Sequence, residues 1–523
     1  MMTELRRETA EILAELEAMR ALDAPTHGGR VLSYVYDSGL AELDELAAGA
    51  ARLVQPVNGL DPTTFTSVAA MEAGVVGFAR RVLGGAGDDE IVGSVTSGGT
   101  ESCLLAVKSA RDLWRSVRAG SPRVPRIVAP VTVHAAFHKA AEYFGLELDL
   151  VPVDPITGVV SVAAIEERLG DDVALVVVSA PSYPFAALDP IADVAAITGQ
   201  RGIALHVDAC IGGFALAFWP DDLPAWNLSV PGVTSLSADL HKYGYAPKGV
   251  SVLLTRGRDR QRFQYFATTA WPGYPVVNPT LTGSKPAGPL AAAWAIIEAL
   301  GEDGFAELTA QAARATEALR EVVTGIEGLA VVGAPTGPLF AVATDESVPA
   351  ELRVDPHHWA DAARGAGWHL QLQPALTQAD GTRLPHTTHL TVTPVTEAVV
   401  GELSTALVAA ADAVRGEPPV DGQALVAGLA ETLPGGLDAL TGASAGLDSE
   451  HAAGLLRAFG LLGGAEARTA DPGGGAAGAD GALPDRLAPV LALVGALPPQ
   501  LTERLLVELL ARVVEPPSTR DLA

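Results

Sequence analysis

A lysine between two apolar runs is the first residue in this sequence that can do covalent chemistry. Lys242 follows His241 in SLSADLHKYGYAPKGVSVLL, residues 235–254, where a predicted strand stands on either side. An amine in that place can attack a carbonyl or form a Schiff base, and partial burial with a nearby cation is expected to lower its pKa. For an isolated His-Lys pair the simpler interpretation is a solvated loop lysine, so Lys242 needs support from other residues.

A glycine-rich turn offers a place for an anion. In SVTSGGTESCLLAVKSA, residues 94–110, a predicted strand runs into Gly98, Gly99 and Thr100 and then into an amphipathic helix. Glycines let backbone N–H groups approach a phosphate closely, and a helix N-terminus adds unpaired donors and a favourable dipole. An ordinary turn with an N-cap is the alternative.

Two further strand ends carry polar residues. His206 and Asp208 lie in ALHVDAC, and a carboxylate after such an apolar run is costly to bury unless it is paired. Asp208 can hold the protonated ring nitrogen of a cofactor, which would strengthen that ring as an electron sink. His134 follows another predicted strand and can stack on a flat cofactor. A capping aspartate and a structural histidine are the alternatives.

These four segments share a predicted position in one sheet. Between residues 68 and 290, short runs rich in Val, Ile and Leu alternate with helical segments, which predicts an α/β fold with a mostly parallel central sheet sandwiched by helices. Open sheets of this kind bind ligands at the carboxyl ends of their strands. We therefore expect the four segments to meet at one edge.

The rest of the chain divides by composition and pattern. We predict an N-terminal helical and loop segment over 1–67, a large domain over 68–330, a smaller α+β domain over 331–415 and a helical extension over 416–523. A Gly- and Ala-rich linker is predicted at 469–485. The extension can be a poorly ordered tail or a packed appendage for oligomerisation or regulation.

Composition excludes some classes of function. The 523 residues include 48% hydrophobic and 19% charged residues, typical of a globular chain, and the net charge of −27 argues against nucleic-acid binding. An anionic substrate would need a local basic pocket. Two cysteines, no evident signal peptide and no apolar run of about 20 residues predict a cytoplasmic protein without a transmembrane segment.

The motifs also resemble a known family. TSGGTES, HAAF with KAAEYFG, HVDACIGGF and above all SADLHKYGYAPKG are similar to fold-type-I pyridoxal-phosphate enzymes of the group II decarboxylase branch, most of all the sphingosine-1-phosphate lyase subgroup, over about residues 28–415. The resemblance implies that Lys242 binds pyridoxal 5'-phosphate covalently, that Asp208 pairs with the pyridine nitrogen and that His134 stacks on the ring. It implies cofactor-binding roles for the residues around the phosphate and the strand end, namely Gly98, Gly99, Thr100, His206 and His241.

The resemblance also implies a homodimer with shared active sites. Gly283, at the start of GSKPAG, matches the loop that reaches the partner's phosphate site. Tyr36 and Asn58 match N-terminal positions that the family places at the site, and we expect them to come from the other subunit. Residues 1–67 are accordingly expected at the dimer interface.

Two reactions are compatible with such a site. A lyase breaks the Cα–Cβ bond of a 2-amino-3-hydroxy substrate by retro-aldol chemistry, whereas a decarboxylase acts on an L-amino acid. Lys248, which contacts the substrate phosphate in the lyase subgroup, and Tyr243, where aromatic amino-acid decarboxylases commonly carry Trp, favour the lyase. A non-catalytic scaffold of the same fold is the third alternative, and the intact Lys242, Asp208 and His134 argue against it.

Three departures from the family pattern fall at the substrate end. Asn58-Gly59-Leu60-Asp61 stands where the family has Asn-Pro-Leu-His, so that Asp61 would repel a phosphate if it pointed inward. Phe185 stands where lyases tend to have His or Tyr, and Lys285 replaces an arginine. We therefore expect an intact cofactor site with an altered substrate pocket.

Overall fold

A seven-stranded sheet organises the first half of the chain. The computed structural model describes residues 5–21, 23–432, 447–462 and 484–516. The strands of this sheet are β1 Ile91–Thr96, β2 Arg126–Pro130, β3 Glu147–Val151, β4 Val173–Ser179, β5 Ala204–Asp208, β6 Ser235–Ala238 and β7 Ser251–Arg256. Their spatial order is β1-β7-β6-β5-β4-β2-β3. Strand β7 runs antiparallel to both neighbours, and the other pairs are parallel.

The strands form where the sequence has short β-branched runs. Every residue of β4, VALVVVS, and of β5, ALHVD, is buried, as expected for central parallel strands that are covered on both faces. The α/β fold class and the mostly parallel sheet are thus confirmed.

Helices connect these strands and cover the sheet. They are α1 Thr9–Arg20, α2 Ala41–Leu53, α3 Thr66–Arg80, α4 Gly99–Val117, α5 Ala135–Phe144, α6 Val162–Glu166, α7 Ile191–Gln200, α8 Gly213–Leu216, α9 Arg258–Gln261 and α10 Gly288–Thr324. A small hairpin of β8 Phe266–Thr268 and β9 Val276–Asn278 precedes α10. The apolar face of α4 joins α5 and the central strands in one buried cluster, which includes Val107, Trp114, Phe137 and Val177.

The register brings the strand ends to one edge. Ser179 pairs with Asp208, Asp208 pairs with Ser237, and across the antiparallel strand Thr96 pairs with Ser251. The segments that follow β1, β2, β4, β5 and β6 therefore all leave the sheet at the same edge, as the sequence predicts.

The described residues form two compact units. The first comprises Met1–Glu321, Val332–Phe340 and Leu390–Ser404, and contains the large sheet; the second comprises Val322–Val331, Ala341–His389 and Thr405–Ala523. The later elements are β10 Leu329–Val331, β11 Leu339–Thr344, α11 Pro356–Gly365, β12 Gln371–Gln373, β13 Leu376–Thr377, β14 Arg383–Leu384, β15 Thr387–Thr391 and α12 Thr396–Val414. Four of these strands form a sheet in the order β10-β11-β15-β12.

Four helices of the C-terminal extension share an apolar core. They are α13 Gly422–Thr432, α14 Ser449–Ala458, α15 Ala488–Ala496 and α16 Pro499–Val513. Val426, Leu456, Leu493 and Leu501 meet in this core. The predicted linker at 469–485 lies, apart from its last two residues, outside the described residues. Within the described part of the chain, no helix is both long and apolar enough to cross a bilayer.

A buried carboxylate in α11 caps the start of α15. The oxygens of Asp361 accept hydrogen bonds from the backbone N–H groups of Leu487 and Ala488 at 2.8 and 2.9 Å. We expect Asp361→Ala to weaken this attachment by about 1–2 kcal/mol, because a lost cap leaves donors unpaired. Hydrogen exchange of the α15 amides should accelerate. The control is Asp412→Ala, which removes an exposed carboxylate paired with Arg415. Equal exchange rates of the α15 amides in the two variants would contradict the expectation.

Candidate active site

In the glycine turn after β1, the backbone passes close to a buried side chain. Gly98 has φ 153° at the N-cap of α4, and a Cβ atom at Gly99 would lie 2.6 Å from Oδ2 of Asp239. A larger residue at Gly99 would therefore collide with a buried carboxylate. The first N–H groups of α4, including that of Thr100, have no partner within the helix. They point to this edge of the sheet and suit an anion.

Glu101 ties this turn to a distant loop, a role that sequence reasoning missed. Its two carboxylate oxygens accept hydrogen bonds from the backbone N–H groups of Ser97 at 2.6 Å and Leu281 at 2.7 Å. The segment that leads to Gly283 is thereby anchored at the start of α4. The signal available in the sequence was an acid in the first turn of a predicted helix, next to the glycine turn.

Asp208 ends β5 with its side chain 7% exposed. One oxygen accepts a hydrogen bond from the backbone N–H of Cys210 at 3.0 Å. His206, two residues earlier, is fully buried and is hydrogen-bonded through both ring nitrogens, to Ser235 at 2.9 Å and Ser237 at 3.1 Å. Burial lowers the pKa of His206 to about 4. Since both its nitrogens are occupied, we expect His206 to support Asp208 rather than to touch a ligand.

His134 forms the N-cap of α5. Its Nδ1 accepts a hydrogen bond from the backbone N–H of Ala136 at 3.1 Å, which fixes the ring while leaving it exposed. Phe137, one turn into α5, packs on the ring of His206 with centroids 5.8 Å apart. This packing sets the start of α5 over β5, so an exposed imidazole stands near the strand that carries Asp208.

Lys242 is paired with an acid that the sequence motifs did not single out. Its Nζ lies 3.0 Å from Oδ2 of Asp239, whose side chain is 1% exposed, and His241 Nε2 lies 3.6 Å from the same oxygen. Burial lowers the pKa of Lys242, but the charge and hydrogen bond of Asp239, together with Tyr36 and Cys210, raise it, and the net shift is upward. The expected lowering of this pKa was therefore wrong. Asp239 directly follows β6, and Asp208 is the last residue of β5, so a search for acids at strand ends would have found both.

A second lysine and a tyrosine complete the surroundings of Lys242. Lys248 Nζ donates to the carbonyl oxygens of Tyr34 at 2.9 Å and His241 at 3.3 Å, and lies 4.6 Å from the ring centroid of Tyr36. Desolvation and the charge of Lys242 lower the pKa of Lys248 to about 8. The ring of Tyr36 packs edge-on against Tyr243 at 5.3 Å. Tyr36 thus stands beside Lys242 of its own chain, whereas we had expected it to reach the site of the other subunit.

Tyr36 and Tyr243 carry well-buried phenols. Burial raises the pKa of Tyr36 to about 12, with Lys242 opposing the shift. The hydroxyl of Tyr243 donates to the carbonyl oxygens of Val392 at 2.8 Å and Pro338 at 3.3 Å. Tyr243 therefore serves to fix the lysine loop within its unit, while Tyr36 remains next to the reactive amine.

The loop after β4 presents Tyr183 to the site in place of Phe185. Phe185 is buried against the turn at Gly158, where an added Cβ would lie 2.9 Å from its ring. Tyr183, two residues earlier, interacts electrostatically with Tyr36 and Lys242, and burial is the main cause of its raised pKa. The protic side chain that faces the site from this loop is thus Tyr183, which sequence reasoning missed.

The remaining predicted residues form a separate group. Asn58 donates to Ser284 Oγ at 3.3 Å, accepts from Leu60 at 3.0 Å, and bridges to Pro286. Gly283, exposed, lies in this same loop. Among the described residues, no hydrogen bond or ion pair joins this group directly to Lys242 within one chain. The backbone N–H of Lys285 also donates to Oδ1 of Asn58, at 3.4 Å.

Asp61 is held in a local turn by the two threonines that follow it. Its carboxylate accepts hydrogen bonds from the backbone and hydroxyl groups of Thr63 and Thr64, between 2.6 and 3.1 Å. These bonds lower its pKa well below the usual range. The side chain that the sequence led us to consider for the substrate pocket is therefore engaged in the turn before α3.

Comparison with known proteins agrees with this arrangement. The family model for the pyridoxal-dependent decarboxylase conserved domain matches residues 57–331, and one for the HTH-type C-terminal domain of pyridoxal-dependent enzymes matches residues 423–512. The sphingosine-1-phosphate lyase of Dictyostelium discoideum is 33% identical over 433 residues, which cover 81% of this chain and 77% of the relative. The Arabidopsis thaliana enzyme of that name is 34% identical over 422 residues, covering 79% and 74%.

Solved structures give the same result. The sphingosine-1-phosphate lyase of Burkholderia pseudomallei matches with a TM-score of 0.71 and 32% identity, covering 79% of this chain and 92% of that one. A glutamate decarboxylase of Lactobacillus brevis shares the fold, with a TM-score of 0.69 at 18% identity over 80% of this chain and 96% of its own. The chain therefore belongs to the pyridoxal-dependent decarboxylase family, as a pyridoxal-phosphate enzyme homologous to the sphingosine-1-phosphate lyases.

Proposed function

We propose that the protein is a carbon–carbon lyase that cleaves the Cα–Cβ bond of a phosphorylated 2-amino-3-hydroxy compound. The observation that carries the proposal is the second ammonium group, Lys248, held beside Lys242 and over the ring of Tyr36. In a chain with a net charge of −27, a cation kept at this place by two backbone carbonyls suits the phosphate of a substrate.

The residues at the strand ends fit pyridoxal phosphate. The N–H groups at Gly99 and Thr100 and the ring of His241 would hold its phosphate, Asp208 its pyridine nitrogen and His134 the face of its ring. The buried Oδ1 of Asp239, which has no hydrogen-bond partner among the described residues, marks a polar space next to Gly99. When bound, the cofactor supplies an electron sink for the bond that breaks next to the substrate amine.

The chain's own residues then determine which bond breaks. Lys248 would fix the phosphate end of the substrate, so that the carbon chain is oriented relative to Lys242. The phenols of Tyr36 and Tyr183 keep their protons at neutral pH, because burial raises both pKa values, and can donate hydrogen bonds to a substrate hydroxyl.

The reaction is tested by its products. The reconstituted protein is incubated with one panel of L-amino acids and one of phosphorylated long-chain 2-amino-3-hydroxy compounds. Equal amounts of aldehyde and phosphoethanolamine from the second panel, without carbon dioxide from the first, are expected. Carbon dioxide release without aldehyde would replace the proposal with an amino-acid decarboxylase.

Lys248 also gives a prediction about affinity. We expect Lys248→Met to raise the KM for the phosphorylated substrate by roughly tenfold to a hundredfold, since a charge-assisted hydrogen bond contributes about 1.5–3 kcal/mol. In the wild type, affinity should fall as the pH rises above about 8, where free Lys248 loses its proton. The KM for the unphosphorylated analogue should change little.

The matched control for that variant is Lys139→Met. Lys139 is an exposed lysine whose Nζ lies 5.3 Å from the ring centroid of Tyr143 on α5. Equal effects of Lys248→Met on both analogues would show that the lysine does not recognise the phosphate.

We further propose a homodimer in the cytoplasm. Gly283, Asn58 and Lys285 lie together apart from Lys242, which suits a loop that completes a partner's site. Trp271, Tyr274 and Val277, near and in the β8–β9 hairpin, expose 46–64% of their area and would be covered by a second copy. Both cysteines are free thiols, in keeping with a reducing compartment. Light scattering of the reconstituted protein tests the dimer, and a monomeric mass would reject it.

A further inference from the structure

We propose that Asp239 is a positioning residue that holds the free side chain of Lys242 as an ammonium beside the turn at Gly99. The inference rests on the proposed function in one respect only, the assignment of Lys242 as the lysine that binds the cofactor. It adds a state of the site in which the lysine is not engaged with the cofactor and is kept in place by an acid.

The contact geometry supports this role. Asp239 Oδ2 lies 3.0 Å from Lys242 Nζ, and the two residues are three positions apart in a turn where the N–H of Lys242 donates to the carbonyl oxygen of Asp239 at 3.3 Å. The N–H of Asp239 itself donates to the carbonyl oxygen of Cys210 at 3.1 Å. The backbone of Asp239 is thus hydrogen-bonded through both its N–H and its carbonyl group, which limits where its carboxylate can lie.

The pair of Asp239 and Lys242 includes a carboxylate that is almost completely buried. The Asp239 side chain is 1% exposed, and its Oδ1 has no hydrogen-bond partner among the described residues. A carboxylate buried with one oxygen unpaired is costly, and the ion pair of Oδ2 with Lys242 is the contact that offsets this cost.

The other charged and titratable groups around the pair do not replace Asp239. Those that face Lys242 or Asp239 from the surrounding segments are Tyr36, Tyr183, Cys103, Cys210, His241 and Lys248. Burial raises the pKa of both phenols and of Cys103, and the hydrogen bond with Cys103 followed by burial raises that of Cys210, so these groups are neutral at pH 7. Burial lowers the pKa of His241, which leaves its ring neutral at pH 7, and Lys248 repels an ammonium. Asp239 is thus the anion among these groups that can keep Lys242 protonated.

The test follows the protonation of Lys242 without any turnover. The full-length chain, freed of cofactor, is labelled with a trace of acetic anhydride at a series of pH values, and the acetylated peptides are quantified by mass spectrometry. In Asp239→Asn, the pH of half-maximal labelling of Lys242 should fall by about one to three units, the usual effect of removing an adjacent opposite charge. Lys139 in the same samples should not change.

A matched variant distinguishes the loss of the Asp239 charge from a general disturbance of the fold. Asp189→Asn removes another buried carboxylate at a strand end, one whose Oδ2 accepts from the N–H of Ser179 at 2.7 Å, and should leave the labelling of Lys242 as in the wild type. An unchanged profile in folded Asp239→Asn would overturn the proposal.

The wild type provides a second criterion if that variant does not fold. The half-labelling pH of Lys242 should then lie above that of Lys139 in the same chain, and a lower value would overturn the proposal. Because no substrate is used, a failure of the lyase assignment in the product assay leaves this result independent.

Discussion

Replacing Lys242 with alanine is expected to reduce turnover by at least about 10³-fold and to remove the visible absorption of the bound cofactor. The variant loses the amine whose Nζ lies 3.0 Å from Asp239, while the neighbouring Lys248 is held by the carbonyl oxygens of Tyr34 and His241. Aldehyde formation is measured at saturating pyridoxal phosphate, so that weaker cofactor binding does not limit the rate.

The control for this prediction is Lys139→Ala on the exposed face of α5. It should retain both turnover and absorption. Circular dichroism and thermal melting establish that Lys242→Ala remains folded. Turnover within tenfold of the wild type in a folded Lys242→Ala variant would mean that another residue binds the cofactor.

The second large effect is expected at Asp208. Asp208→Asn keeps the size of the side chain and an acceptor for the N–H of Cys210, but it removes the charge that would keep the pyridine nitrogen protonated. We expect kcat to fall by about 10²–10³-fold, the usual cost of losing one preorganised electrostatic contact. Cofactor content, measured after gel filtration, should fall much less than kcat.

Asp189→Asn serves here as the matched control. It removes a buried carboxylate that accepts a hydrogen bond from Ser179, the last residue of the neighbouring strand β4, and whose pKa burial raises to about 7. If the two variants lost kcat equally, the effect would come from perturbing the sheet edge, and the role assigned to Asp208 would be contradicted.

The fold and the cofactor end of the site follow from local sequence signals. Short β-branched runs predict buried strands, and the carboxyl ends of parallel strands must lie at one edge, so the sequence alone is enough to group Gly99, His134, Asp208 and Lys242. The antiparallel β7 was not foreseen as such, because an apolar run gives no direction. Its insertion between β1 and β6 sets the glycine turn near the lysine loop.

The substrate end could not be predicted in the same way, because it depends on where side chains point. Phe185 and Asp61 attracted attention by their positions in motifs, yet one packs on the turn at Gly158 and the other binds Thr63 and Thr64. Tyr183 takes the place considered for Phe185 because the loop after β4 turns sharply, with φ +54° at Ala186.

The pKa of Lys242 shows how a single neighbour reverses an expectation. Sequence reasoning combined partial burial with a nearby cation, and both favour a neutral amine. The structure adds Asp239 at 3.0 Å, which together with Tyr36 and Cys210 raises the pKa in spite of burial. Asp239 lies three residues before Lys242, and its carboxylate can face the lysine only because the backbone between them forms a turn. The sequence alone does not predict this turn.

The most direct test of the account is to locate the cofactor on the chain. Reconstituted protein is reduced with borohydride, digested and mapped by mass spectrometry. The account predicts one equivalent of phosphopyridoxyl label per chain, on the peptide that contains Lys242, and loss of that label in Lys242→Arg. Label on Lys248 or on any other lysine, or no label at full saturation, would contradict it.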